Sequence, residues 1–107
     1  MSQFQNTIEE AWEDRALLAD KNVQGAIRSV IDQLDKGELR VAEPTADGWQ
    51  VNEWVKKAVV LYFPIEGMKT LQAGPLEFHD KIKLKTGYKE KGIRVVPHAV
   101  ARHGAYI

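Results

Sequence analysis

The sequence predicts a mainly α fold with short β-hairpins. Three observations carry that prediction. Apolar residues recur at helical spacing through most of the chain up to Pro64. The pair Asp47-Gly48 sits between two alternating runs, as in a hairpin. After Pro64 the character changes: Gly67, Gly74, Pro75, Gly87 and Gly92 punctuate the chain and no long helical period survives.

The elements follow in order. Ser2 with Gln5 resembles a capping box, and Phe4, Ile8, Ala11 and Trp12 then fall on one face of a first helix. Asn22 is placed to cap a second helix whose stripe is Val23, Ile27, Val30, Ile31 and Leu34, with Gly37 as its C-terminal glycine. Leu39-Arg40-Val41-Ala42-Glu43 and Gly48 to Val51 alternate as two strands, with Pro44 and Asp47-Gly48 in the connection. Asn52 opens a third helix with Val55, Val59, Tyr62 and Phe63 inward, and Pro64 ends it because the residue before a proline leaves the α region. Ile82 and Leu84 alternate with Lys81, Lys83 and Lys85, the pattern of a half-buried strand. The tail from Ile93 to Ile107 reads as extended segments broken at Pro97 and Gly104. In it Val95, Ala101 and Ile107 stand six apart, the spacing of inward-facing positions in a left-handed parallel β-helix. A chain that stops on apolar Tyr106-Ile107 is expected to continue.

Composition narrows the function classes. With 107 residues the chain makes one small domain, and 44% apolar with 28% charged residues is the balance of a folded, soluble chain. Fifteen basic residues offset fifteen acidic ones, so no net field draws the chain to nucleic acid or an anionic membrane. There is no cysteine, hence no disulfide and no thiolate metal site. Glu9, Glu10, Glu13 and Asp14 stand where a signal peptide would be apolar, and no run approaches a membrane span, so a cytoplasmic location is expected.

The glycine-rich phosphate loop, the nucleophile elbow and the zinc-type His/Glu motif are all missing. His79, His98 and His103 lack metal-ligand spacing and read as structural or exposed. The acidic run in the first helix reads as a solvated face, and Trp12, Trp54, Tyr62 and Phe63 as core. Lys81, Lys83, Lys85, Lys89, Lys91 and Arg94 form the one local charge bias. With Tyr88 they allow a nucleic-acid patch, which Asp80 and Glu90 dilute, or a basic rim facing an anionic small molecule. Arg94 stands out, a guanidinium set between Gly92-Ile93 and Val95-Val96-Pro97. An arginine buried there needs a partner: a neighbouring carboxylate of the chain, or a substrate carboxylate gripped by two donors.

The run Gly92-Ile93-Arg94-Val95-Val96-Pro97-His98-Ala99-Val100-Ala101-Arg102-His103-Gly104-Ala105-Tyr106-Ile107 resembles tetrahydrodipicolinate N-succinyltransferases, in which a similar run joins an N-terminal domain to a β-helix. Gln5-Asn6-Thr7-Ile8-Glu9 with Trp12-Glu13, then Leu39 to Glu43, then Trp54-Val55-Lys56-Lys57-Ala58-Val59, then the Phe78-His79-Asp80-Lys81-Ile82 strand resemble the same family in the same order. The resemblance spans the whole chain, and the joint occurrence of these motifs is more specific than any one.

The resemblance implies a division at 1–92, a helical N-terminal domain with hairpins, and 93–107, a connector and first β-helix strand, with the β-helix itself outside these residues. It implies a cytoplasmic homotrimer assembled through hexapeptide-repeat β-helices. Its reaction moves succinyl from succinyl-CoA to the amino group of L-2-amino-6-oxopimelate, ring-opened tetrahydrodipicolinate, on the diaminopimelate route to lysine. The family's substrate-binding arginine falls on Arg94, which favours carboxylate recognition. No catalytic residue and no metal is expected within the chain, and no cofactor bound by it; succinyl-CoA is a co-substrate of the complete enzyme. The chain departs from the family in having no hexapeptide repeats, pantetheine channel or catalytic carboxylate, and in the short segment Leu84 to Lys89, where some members carry an insertion. A non-enzymatic helical module for assembly is the alternative, and the Gly92 to Val100 run argues against it.

Overall fold

The computed structural model describes residues 3–107, so the Ser2 half of the expected capping box lies outside the described residues. Helix α1 spans Gln5–Glu13 with Ile8 and Ala11 buried, and Phe4 and Trp12 packed against the core, the face the periodicity predicts. At Asp14 the backbone turns extended, and its carboxylate accepts from the Ala16 N–H at 3.1 Å. That starts a 3-10 turn over Arg15–Ala19 that the sequence reading lacks.

Helix α2 spans Lys21–Asp35, and Val23, Ile27, Val30, Ile31 and Leu34 are all buried, as expected. Its cap is Asp20 rather than Asn22. The extended backbone at Asp20 (φ −78°, ψ 126°) lets its carboxylate accept from the Asn22 N–H at 2.7 Å, which leaves Asn22 inside the first turn. Gly37, at φ +77°, ends the helix as predicted. The Glu38 N–H returns to the Gln33 carbonyl at 2.8 Å and the Gly37 N–H to that of Leu34 at 3.1 Å, a Schellman closure that needs a left-handed residue.

Strands β1 (Ala42–Thr45) and β2 (Gly48–Val51) pair antiparallel from Ala42↔Val51 to Thr45↔Gly48. The first strand therefore starts later than the alternation of Leu39 to Glu43 suggests, and Pro44 lies within it opposite Trp49 rather than in the connection. Leu39 and Val41 account for the difference, since they pack against the helical core. A two-stranded ribbon also leaves one side of each strand unpaired, where a missing N–H removes no ladder bond.

Helix α3 covers Glu53–Ile65. Asn52 holds the cap position, but its side chain is used otherwise, donating to the Arg40 carbonyl at 2.7 Å and accepting from Gln50 Nε2 at 3.1 Å. Pro64 does not stop the helix; it sits in the last turn, which closes with the Glu66 N–H on the Phe63 carbonyl at 3.2 Å. There the proline forgoes only the bond to Val60, on the exposed side of the helix. Val55, Ala58, Leu61 and Tyr62 complete the core, Val59 and Trp54 pack at its margin, and Phe63 is 36% exposed. Of the acidic run, Glu10, Glu13 and Asp14 face solvent while Glu9 meets Lys57 Nζ at 2.9 Å.

A second hairpin joins β3 (Lys69–Ala73) to β4 (Leu76–Asp80) across Gly74-Pro75, with Gly74 at φ +63°. The residues alone predict no strand at β3, and the strand expected from Phe78 ends at Asp80. Lys81 to Lys85 form no strand; Leu84 makes a single antiparallel bridge with Arg102. Ile82 is buried as the alternation requires, but Lys85 is buried too, at 8% exposure, because a carboxylate of α2 receives its ammonium. In the tail Val95 and Ala101 are half-buried while Ile107 is 54% exposed, so the three positions six apart do not share one inward face. Among the described residues the fold is thus three helices and two antiparallel strand pairs.

Candidate substrate-binding site

Arg94 lies in a loop, residues 86–100, that departs from the body and returns to it at one place. Its ends are joined by two backbone bonds, Lys85 N–H to the Ala101 carbonyl and His103 N–H to the Lys83 carbonyl, each 2.9 Å. Within it, the Lys91 N–H bonds the Gly87 carbonyl at 3.2 Å, Ile93 that of Tyr88 at 2.9 Å, and Ala99 that of Val96 at 2.8 Å. Arg94 follows the first of these turns and is exposed. The burial expected of it is not observed, because the apolar run around it forms no packed strand: Val96 is 60% and Val100 56% exposed. No hydrogen bond or ion pair engages the guanidinium among the described residues, so an internal salt bridge is not what Arg94 makes here.

Three of the other cations of the basic stretch are turned to the protein itself. Lys81 Nζ donates to the Phe63 carbonyl and Lys91 Nζ to the Thr86 carbonyl, both at 3.2 Å, and Lys85 is drawn inward. Arg102 pairs with Asp80 at 3.1 Å and lies 5.4 Å from the centroid of the Phe63 ring. The Lys81 backbone N–H and then Arg102 hold the Asp80 carboxyl below its ordinary pKa. His79 sits in β4 near Thr70 Oγ1 at 3.4 Å, and His98 is exposed, with φ +27°. His103 is structural, its ring held between two aspartates of α2. No group of His, Asp and Glu among the described residues is arranged to hold a metal ion.

Sequence reasoning missed the cluster that organises this region. Asp35 Oδ1 receives Lys85 Nζ and the Gly104 N–H (2.9 Å), and His103 Nδ1 lies 3.4 Å away; His103 Nε2 lies 2.7 Å from Asp32 Oδ1. Burial pushes the Asp35 carboxyl upward, but the Lys85 and Gly104 hydrogen bonds with the charge of His103 outweigh it and leave the pKa lowered. One signal could have found the cluster. Asp32 and Asp35 sit in the last turn of α2, where the helix dipole disfavours carboxylates unless cations from elsewhere meet them. Elsewhere, a polar cleft of about 750 Å³ opens between the start of α1, the end of α2 and the first hairpin, lined by residues such as Gln33, Arg40 and Asn52.

The sequence that builds this three-helix unit and the arginine-bearing loop has relatives among known proteins. Residues 3–65, more than half of the chain, match the family described as tetrahydrodipicolinate N-succinyltransferase N-terminal, and the chain belongs to that family. Particular relatives extend the match past that region. A 2,3,4,5-tetrahydropyridine-2,6-dicarboxylate N-succinyltransferase of Bordetella pertussis is 47% identical over 114 residues, covering 97% of this chain and 42% of the relative. One of the same name from Coxiella burnetii is 44% identical, covering 100% of this chain and 42% of the relative. The chain thus spans about two fifths of the length of the curated relatives it matches.

Proposed function

We propose that this chain is the N-terminal domain of a succinyltransferase and supplies carboxylate recognition for the acyl acceptor. The acceptor is L-2-amino-6-oxopimelate, ring-opened tetrahydrodipicolinate, and the donor is succinyl-CoA. The amine attacks the thioester carbonyl, the C–S bond breaks, and the thiol of CoA leaves with a proton taken from the nitrogen. The general base and the CoA channel are assigned to the part of the relatives that this chain does not span, as is the homotrimer contact. No metal or bound cofactor takes part through this domain, and the CoA donor is a metabolite of the cytoplasm. No helix among the described residues is long and apolar enough to cross a membrane.

The observation that carries this reading is the state of Arg94, exposed and without a partner among the described residues, in a chain of this family. A free guanidinium presents a planar pair of donors that match the two oxygens of a carboxylate, and a dicarboxylate acceptor offers two such groups. Hydrogen bonds to charged groups contribute about 1.5–3 kcal/mol, so Arg94→Ala in the natural gene product should raise the acceptor KM roughly 10- to 150-fold. The KM for succinyl-CoA stays constant, because the thioester meets other residues. Arg94→Lys recovers little, since an ammonium has no fork. Steady-state kinetics in both substrates, with a thermal melt alongside, decides the matter. A lowered melting temperature with an unchanged acceptor KM would make Arg94 a structural residue.

A further inference from the structure

The loop that carries Arg94 is held to the body mainly by polar contacts at its two ends. Chain enters the loop along Lys83–Lys85 and leaves it along Ala101–Gly104, and beyond the two backbone bonds between these stretches both are tied to α2. The tie centres on Asp35, whose backbone carbonyl also accepts from Lys85 Nζ at 3.4 Å. Asp35 Oδ1 takes the Lys85 ammonium from the entering stretch and the Gly104 N–H, at 2.9 Å, from the returning one. His103 Nδ1 stands 3.4 Å from the same oxygen, and Asp32 Oδ1 holds the other face of that ring at 2.7 Å. Just past this point the Tyr106 ring lies so close over Gly37 that a Cβ there would come within 2.9 Å of it. The tail therefore follows the last turn of α2 and its glycine cap.

We infer that Asp35 is a positioning residue for Arg94: its carboxylate gathers both ends of loop 86–100 onto α2 and so fixes where the guanidinium meets the acceptor. This rests on the assignment of Arg94 to acceptor binding. The arrangement has a physical rationale. Lys85 is nearly enclosed, so its ammonium depends on Asp35 for charge compensation. Removing the carboxylate leaves a buried cation that escapes only by pulling the entering stretch outward, and it strips the returning stretch of its Gly104 bond in the same stroke. The apolar core anchors the entering side only at Ile82, just ahead of Lys83, since Leu84 is half-buried and Arg102 exposed.

The test uses the natural gene product and four variants: Asp35→Ala, Asp35→Asn, Arg94→Ala and Asp35→Ala with Arg94→Ala. Asp35→Ala should raise the KM for the acceptor, probed with L-2-aminopimelate, by roughly 3- to 30-fold, the span common for coupled neighbours, and leave that for succinyl-CoA unchanged. In the double variant the acceptor KM should be no worse than with Arg94→Ala alone, because Asp35 acts through Arg94. Asp35→Asn should fall between, since the amide oxygen still accepts from Gly104 while the charge on Lys85 goes uncompensated. Limited trypsin digestion reads the loop without reference to activity: Asp35→Ala should speed cleavage after Lys89, Lys91 and Arg94 and leave cleavage after Lys56 and Lys57 in α3 unchanged. If Asp35→Ala does not fold, Asp35→Asn carries the same comparisons. Additive effects of the two substitutions on acceptor KM, or loop cleavage no faster than wild type, overturn the positioning role while the Arg94 assignment stands. An acceptor KM indifferent to Arg94→Ala overturns that assignment, and the positioning role falls with it.

Discussion

In residues 5–65 three helices bury Ile8, Ile27, Val30, Ile31, Val55 and Leu61 against one another, and each of these is at most 2% exposed. In residues 66–107 Ile82 is the one buried apolar residue among those described, and the chain is held instead by Lys85, His103 and Gly104 on two aspartates. The first region gains its stability from area removed from water, which depends little on the placement of any single atom. The second depends on a few directional contacts to two carboxylates, which fix a geometry at low cost in bulk. A loop meant to present a charged side chain to a ligand benefits from the second kind of support, because it needs a defined position and an exposed tip.

The comparison is broken most readily from the side of the core. Ile27→Ala empties a fully buried site and should destabilise the protein by about 2–5 kcal/mol in denaturant unfolding. A loss no larger than that from Asp35→Asn would erase the distinction between the two regions.

A smaller effect is expected from acid. The folded pKa of Asp35 is lowered from its ordinary 3.8, so its contribution is complete above that value and fades as pH falls through the lower folded value. Urea midpoints measured from neutral pH into this acid range should therefore decline less steeply for Asp35→Asn than for wild type. Parallel curves would remove the carboxylate from the account of how the tail is held.

The smallest effect is expected at the tip of the first hairpin. Trp49 is 70% exposed on a ribbon outside the core, so Trp49→Ser should change stability by no more than about 0.5 kcal/mol. A larger loss in thermal melts would mean that this hairpin supports the helical unit in a way its exposure does not suggest.

The same contrast explains what could be read from the residues. The stripe of α2 was legible because a helix records burial in its own sequence at every third and fourth position, and Gly37 marked the end through a backbone angle that other residues avoid. Asp20 and Asn22 are both good caps two positions apart, and only the backbone angle at Asp20 decides between them. The Asp35 cluster joins residues 50 and 69 positions apart, and no local pattern announces such a meeting. Arg94 stands out in the sequence as an isolated charge in an apolar run, but the burial inferred from that run is not found, since exposed Val96 and Val100 show that apolar neighbours do not by themselves make a core.

The central claim, that these residues serve succinyl transfer, is tested most directly by acceptor-dependent release of CoA thiol from succinyl-CoA by the natural gene product, with L-2-aminopimelate as acceptor. The account predicts release that saturates with acceptor and that Arg94→Ala shifts to much higher acceptor concentration. A folded product that releases no thiol above the uncatalysed rate at any acceptor concentration would contradict it.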